Sequence, residues 1–453
     1  MELARILCRP EGKTVEFKRD LSNPGGIIKT LVAFANSSGG CLVVGVEDGT
    51  RRVAGVADPL AAEQRLANLV STLIEPKLAP AIKILPWRKK SLICVEVFPS
   101  PSRPHYFARL GPSRGVYLRI GSTNRQATET QIAELRRFGQ SEAFDEQPMP
   151  GVSPEALDFR AASELFSEFR KLSRAALQTL KLTTKHQNRE TPTIGGYLLF
   201  CPNRFDRFPD SWIQAGRFAG RDRARPIDSA EIRTLLPLAP AAAVAFVQKH
   251  MMKEAVIGAV HRTDRWTVPP VALREAINNA IVHADYSERG APLRIAIFDD
   301  RIEIENPGLL PPGLTIDDIQ LGVSKLRNRV IGRVFHELGM IEQWGTGVQR
   351  MNAACRDAGL PNPILEEIGH RFRVTFLIEQ SRPPSMTHRE QKIAALLRNG
   401  KGMSTSEIAA RIRLSSRATR TCLLDMVQKG LLVEVGSSPQ DPKRRYYLSQ
   451  SAG

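Results

Sequence analysis

The sequence predicts an α+β multidomain protein, and three observations carry that expectation. A chain of 453 residues exceeds one ordinary hydrophobic core. Helical and strand-like apolar runs alternate along it without an internal repeat, and 42% hydrophobic with 25% charged residues supplies apolar material for a core in each part. Prolines 148, 150 and 154 and the stretch SRPPS at 381–385 divide it, so the expected domains span 1–138, 150–380 and 386–453.

Charge separates these parts. The formal net charge is +17, but residues 1–140 hold 21 basic and 12 acidic residues, 141–385 hold 31 and 30, and 386–453 hold 12 and 5. A merely solubilising surface would spread its charge, so both ends read as nucleic-acid-facing, with duplex DNA as partner and RNA as a further one. The opening MELARILCRP has no basic-then-apolar signal pattern, and the most apolar stretch, 238–247, contains Pro240 and is too short for a bilayer. A cytoplasmic protein without membrane contact is expected. Cysteines 8, 41, 94, 201, 355 and 422 show no CxxC or Cys/His cluster and read as small core residues, neither zinc ligands nor a disulfide framework.

In the first domain, residues 28–46 begin as a helix, break at Ser37-Ser38-Gly39-Gly40 and resume as a Val-rich buried strand. A helix at 61–74 and strands at 91–98 and 115–120 complete a compact α+β unit. Gly12-Lys13-Thr14 has the look of a P-loop ending, but Leu7 stands where the first glycine is required and the flanks do not run strand, loop, helix. A translocating helicase motor is therefore excluded. The blocks Glu11 to Lys18, Ala33 to Gly40, Val44 to Gly49 and Tyr117-Leu118-Arg119-Ile120-Gly121-Ser122-Thr123-Asn124-Arg125 occur in the order found in the AlbA_2 domain of Schlafen-like proteins, which residues 1–138 resemble. The resemblance implies nucleic-acid contact by Arg103, Arg119 and Arg125. It also implies an alternative: in nuclease members of that family, carboxylates placed like Glu11, Glu16 and Asp48 form a metal-dependent cleaving site, where Mg²⁺ or Mn²⁺ would activate water.

The middle domain offers strands at 193–200 and 212–219, a long helical stretch at 229–253, a helix after Pro269-Pro270, a hairpin at 293–299 and 301–305, and a final strand at 371–378. On the helix after Pro270, Glu275, Asn279 and His283 stand at i, i+4 and i+8 and share one face. A carboxylate and a carboxamide one turn apart can hold Mg²⁺ and orient a water. Then come Ile304-Glu305-Asn306-Pro307-Gly308, a basic segment 324–333, and Trp344-Gly345-Thr346-Gly347 before a helix at 348–355, whose N–H groups can hold anionic oxygens. In this order the motifs resemble the ATPase-type module (GHKL, or HATPase_c, an α/β sandwich) shared by gyrase, histidine kinases and MutL, in the branch joined to AlbA_2 domains; the motif core spans 270–378. The resemblance implies that Glu275 is the general base and Asn279 the Mg²⁺ ligand. It sets His283, Asn306 and Gly308 in the nucleotide site, Asn306 and Gly308 beside adenine, with Gly345, Thr346 and Gly347 at the phosphates under a lid drawn from 309–343. Asn306 replaces the Asp of better-studied relatives, and an Asn can still hydrogen-bond adenine.

In the last domain, Ser404 precedes a helix through Ile408 and Ala409, Leu414-Ser415-Ser416 makes a turn, and a second helix runs over 417–429. Strands at 431–435 and 446–448 flank a tip with Lys443, Arg444 and Arg445, completing a winged helix-turn-helix. Ser416, Arg417 and Arg420 open the second helix, where major-groove readers place their contacts. The functional expectation is an ATP-binding, DNA-binding transcriptional regulator, homodimeric and using Mg²⁺, whose nucleotide-dependent lid closure controls the DNA contacts of the terminal domains. The alternative is a Schlafen-like nuclease acting on RNA or DNA and gated by the ATP module.

Overall fold

The computed structural model describes residues 3–251, 253–257, 262–342, 345–378, 387–398, 402–429, 431–435 and 444–448. The expected linker at 381–385, Trp344 and Lys443 lie outside the described residues. The chain divides into two compact units, Met1–Ile132 with Arg382–Gly453, and Ala133–Ser381. Its two basic ends thus belong to one unit, which holds 32 Lys and Arg against 16 Asp and Glu, or +16 of the +17 total. Both units mix helix and strand as the sequence predicts. Among the described residues no helix is long and apolar enough to cross a membrane.

The first unit is built on a sheet in the order Val15–Lys18, Gly40–Val44, Lys90–Val97, Ala81–Trp87, with only the first pair parallel. Helix Pro24–Asn36 starts at Asn23, whose side chain accepts from Gly26 N at 2.9 Å. The chain leaves that helix through Gly39 at φ +77°, where a Cβ would lie 2.7 Å from Val97 O, so only glycine fits the turn. Ile28, Leu31 and Phe34 on the helix then pack on Leu42 and Val95 of the sheet. Strand Ala81–Trp87 escapes sequence reading because its residues are half-buried or exposed without alternation. The cysteines also need correction: Cys41 and Cys94 form a disulfide across adjacent strands, with Cα atoms 6.3 Å apart. A pair 53 residues apart leaves no local spacing signal.

The carboxy-terminal residues form helices His388–Leu397, Thr405–Ile412 and Ser416–Gln428 and a hairpin of Leu432–Val435 with Arg445–Leu448. Successive side chains of a strand face opposite ways. Leu432, Tyr446 and Leu448 join Ile393, Ile408 and Leu423 in the three-helix core. Val433, Val435 and Tyr447 join Ile6, Leu7, Val15, Phe17 and Val43 of the amino-terminal sheet region. The last hairpin therefore completes a core begun by the first twenty residues.

The second unit contains a six-stranded sheet in the order Pro226–Ile232, Ile213–Phe218, Leu293–Ile297, Arg301–Pro307, Arg371–Leu377, Ile364–Ile368. Only Ile213–Phe218 and Leu293–Ile297 run parallel. Ile295, Ile297, Ile302, Ile304, Val374 and Phe376 enter one core with Leu273, Ile277 and Ile281 of helix Pro270–His283 and Ala243 of helix Ala239–His250. Two expectations fail. The segment read as a strand at 193–200 is helix Ile194–Phe200, capped by Thr193 Oγ1 on Gly196 N at 3.0 Å. It is buried on every side, so apolarity carries no period, and Gly196 sits where a Cβ would meet Leu182 O at 2.1 Å. The stretch read as helix from 229 is strand through Ile232, with helix only over Ala239–His250.

Fully buried Asp145 caps helix Arg329–Glu337 from far along the chain, accepting from Arg329, Val330 and Ile331 N at 2.9, 2.7 and 2.9 Å. Asp145→Ala orphans two buried donors and a third part-buried one and is expected to lower unfolding free energy by about 3 kcal/mol in denaturant titration, with Asp145→Asn recovering part. Glu390, 1% exposed, closes a capping box with Thr387 and meets Lys429 at 2.8 Å. Lys429 first, then Thr387, holds its carboxyl down to about 2 from an ordinary 4.5. The folded value lies below the unfolded one, so this stabilisation is complete above the unfolded value and lost as pH falls toward 2. Melting curves of wild type and Glu390→Gln should differ at neutral pH and converge through that acid window.

Candidate functional site

The motif helix Pro270–His283 starts on Pro270 and buries Ala272, Leu273, Ala276, Ile277, Ala280 and Ile281. Glu275 is also buried, at 7% exposure, and faces the start of helix Gly347–Asp357. A Cβ on Gly347 would stand 2.3 Å from Glu275 Oε1 and 3.1 Å from Asn279 Nδ2. The first residue of an 11-residue helix therefore rests directly on the carboxylate and the carboxamide, and any larger residue there would push both side chains aside. Arg350, one turn further on, places Nη1 3.9 Å from Glu275 Oε2 and 2.8 Å from Glu342 Oε1. Thr346 Oγ1 donates to the other oxygen of Glu342 at 2.9 Å. Burial raises the Glu275 pKa, Arg350 opposes the rise, and Glu342 adds to it.

Gly345, at φ +69°, is flanked by residues of the expected lid: a Cβ there would meet Gly322 O at 2.4 Å and Ser324 Cβ at 3.0 Å. Asn306 and Gly308 end strand Arg301–Pro307 and the turn beyond it. Asn306 is buried and its Nδ2 donates to Pro307 O at 3.1 Å. Gly308, at φ +95°, donates its N–H to His370 O at 2.8 Å and is bordered by Arg327 Nη1 and Asp285 Cβ, 2.0 and 2.9 Å from its virtual Cβ. His283 is half-buried, and burial followed by Arg327 pushes its pKa down to about 4, so the ring is neutral at pH 7. Glu275, Asn279, Thr346 and Gly347 thus form one group, and Gly308, Asp285 and Arg327 a second. Sequence reasoning gave no role to Glu342, Arg350, Asp285 or Arg327, although Arg327 lies in the basic segment 324–333 and Arg350 stands one helical turn after Gly347.

In the first unit the expected nucleic-acid set splits. Arg119 is 1% exposed and corrects its assignment as a nucleic-acid contact. Its Nη2 pairs with Glu16 Oε2, Nε donates to Gly12 O at 2.9 Å and Nη1 to Asn124 Oδ1 at 2.9 Å. Arg103 is half-buried and burial pulls its pKa down to about 10, whereas Arg125 is exposed. The carboxylates of the expected metal trio are neighbours: Glu11 hydrogen-bonds Asp48 and lies within the electrostatic reach of Glu16. Glu16 spends its other oxygen on Lys18 Nζ at 2.5 Å. Burial, then a hydrogen bond with Asp48, lifts the Glu11 pKa to about 7, and Glu11 Oε1 also accepts from Phe17 N at 2.7 Å. Among the described residues no three His, Cys, Asp or Glu side chains form a metal-holding group.

At the carboxy terminus Ser416, Arg417 and Arg420 all stand exposed at the start of helix Ser416–Gln428, with Ser415 capping Ala418 N at 3.3 Å. Arg444 is not free for nucleic acid, because its largely buried side chain pairs with Glu434 at 2.6 Å. Arg445 donates to Gly402 O at 2.5 Å and lies 3.8 Å from Glu407, though half of it remains exposed.

Comparison with known proteins matches residues 11–128 to the family model described as Schlafen, AlbA_2, and residues 290–376 to HATPase_c_4, described as "Putative ATP-dependent DNA helicase recG C-terminal". No curated protein matches. Among solved structures, the DIP2311 protein of Corynebacterium diphtheriae is similar at 18% identity over 96% of this chain and 95% of that one, with a TM-score of 0.45. The N-terminal domain of a RecG-related protein from Nitrosomonas europaea, titled a "Putative ATP-dependent DNA Helicase", is similar at 25% identity over 28% of this chain and 95% of that one, with a TM-score of 0.23. The two matched segments fall one in each compact unit, a Schlafen AlbA_2 domain in the first and a RecG-like C-terminal HATPase_c_4 domain in the second.

Proposed function

We propose that this is an ATP-binding, DNA-binding protein that acts in the cytoplasm as a homodimeric transcriptional regulator. The observation that carries the reading is the seat of Gly347 on Glu275 and Asn279. A helix N-terminus supplies unpaired N–H groups and positive potential for phosphate oxygens, and a glycine without a side chain leaves them open to approach. The matched ATPase-type domain supports the same assignment.

The residues present fit Mg²⁺-ATP. Asn279 would hold the metal through its amide oxygen, Gly345, Thr346 and Gly347 would take the phosphates, and Asn306, Gly308 and His283 would border the base. The bound ion would neutralise phosphate charge. Glu275, with its raised proton affinity, is suited to accept a proton from water, and Arg350 holds its carboxylate in place. A fluorescent ATP analogue titrated with Mg²⁺ should bind wild type and bind Asn279→Ala at least about tenfold more weakly. Equal binding by the two proteins, or none by wild type, removes the assignment.

DNA contact is proposed for Ser416, Arg417 and Arg420, with Arg125 as a second point and RNA as a further ligand. The exposure of these side chains on the unit that carries almost all the net charge supports it. Lid closure over 309–343 on ATP binding would change how that unit engages DNA. Replacing Arg417 and Arg420 together by Ala should weaken duplex binding and reduce the slope of log affinity on log salt by about 2. An unchanged slope in filter binding or anisotropy removes this helix from the interface.

A further inference from the structure

The second unit contains a cavity of about 170 Å³ whose lining includes none of Glu275, Asn279, Asn306, Gly308 or residues 345–347. Its apolar wall is formed by Phe144, Phe208, Trp212, Ile213 and Leu293, with Phe144 and Phe208 edge to face at 6.3 Å between centroids. A cavity of roughly 150 Å³ lined by such side chains holds a benzene ring. The space is therefore one aromatic ring in size.

The polar side of the lining is Arg204, 1% exposed. Nε and Nη2 donate to Ser211 O at 3.3 and 3.2 Å, and Nη2 also to Thr234 O at 2.6 Å. The guanidinium lies over the Phe205 ring at 4.3 Å. These partners are all uncharged. Burial pulls the Arg204 pKa down to about 10, which leaves the group a cation at neutral pH. The carboxylates that share the lining are engaged or weakened: Asp210 accepts from Gly290 N at 2.7 Å, Asp285 holds Ser287 and Arg327, and burial raises the Glu288 carboxyl. A buried cation without a counter-ion is costly, and an anion arriving from solution relieves that cost.

We propose that this cavity binds a small single-ring aromatic carboxylate, its ring among Phe144, Phe208, Trp212 and Leu293 and its carboxylate on Arg204. Arg207 and Arg289, exposed in the same lining, draw such an anion toward the mouth. Ile281, Ala284, Asp285 and Tyr286 also face the cavity and close the helix that carries Glu275 and Asn279. An occupant thus meets the end of the motif helix, and through Asp285 and Pro307 it adjoins Asn306 and Gly308, which makes the cavity an effector site next to the nucleotide site.

The test uses the full-length protein, with benzoate and its neutral counterpart benzamide as probes and Trp212 as reporter. Wild type minus Trp212→Phe isolates the emission of that tryptophan. Benzoate should change it saturably and raise the melting temperature, and benzamide should require at least about tenfold higher concentration. Ala291→Phe, which fills the cavity and leaves the Arg204 side chain unaltered, should abolish the response while circular dichroism and melting of the free protein stay as in wild type; Arg204→Lys should weaken it. No saturable change with benzoate up to about 10 mM, in the range expected for so small a ligand, overturns the proposal. So does equal binding of benzamide, or undiminished binding by Ala291→Phe.

Discussion

Arg119 carries a full charge in an interior that admits almost no water, and the amino-terminal sheet region is arranged to satisfy it. The guanidinium reaches the loop at Gly12, the strand at Glu16 and the hairpin at Asn124, and lies 5.5 Å over the ring of Phe34. Asn124 in turn donates to Thr30 on helix Pro24–Asn36, and the Arg119 N–H is held by Ser37 Oγ. Loop, strand, helix and hairpin are therefore fixed by one side chain, and loss of either member of the Arg119–Glu16 pair would strand a buried charge. The same arrangement commits both oxygens of Glu16, one to Arg119 and one to Lys18.

The second unit solves a related problem by a different route. Its six-stranded sheet gives one face to the apolar core and the motif helix. On the other, Arg294, Glu305 and Arg373 lie side by side across three strands. Glu305 is 3% exposed and accepts from Arg373 and Arg223 at 2.8 and 3.0 Å, so arginine stems cover carboxylates where a second layer of helices would otherwise lie. A sheet stiffened this way gives helix Pro270–His283 a firm bed, and the distance from Glu275 to Gly347 depends on that bed.

The parts legible in the sequence are those whose signal is local. Four-residue spacing placed Glu275 and Asn279 on one face, the glycines at 345 and 347 marked the close approach, and Ser404 announced a helix start that the structure closes as a capping box with Glu407. What failed was non-local or without period. Nothing near Arg119 reveals a carboxylate 103 residues away, and an arginine in a strand followed by a polar turn reads as surface. Helix Ile194–Phe200 carries no polar face to betray its period. Asp145 reads as one loop acid among several until Arg329–Glu337 is folded above it.

The hairpin face formed by Val433, Val435 and Tyr447 bears on how the chain is made. These residues leave the ribosome roughly 400 residues after Val15 and Phe17, beside which they pack. At about 5–20 residues per second, the amino-terminal segment waits on the order of tens of seconds with that apolar surface uncovered. A product released early lacks this cover altogether. Chains that stop before residue 431 should accordingly keep that apolar surface exposed, so the hairpin acts as a cover that the amino-terminal sheet region acquires late.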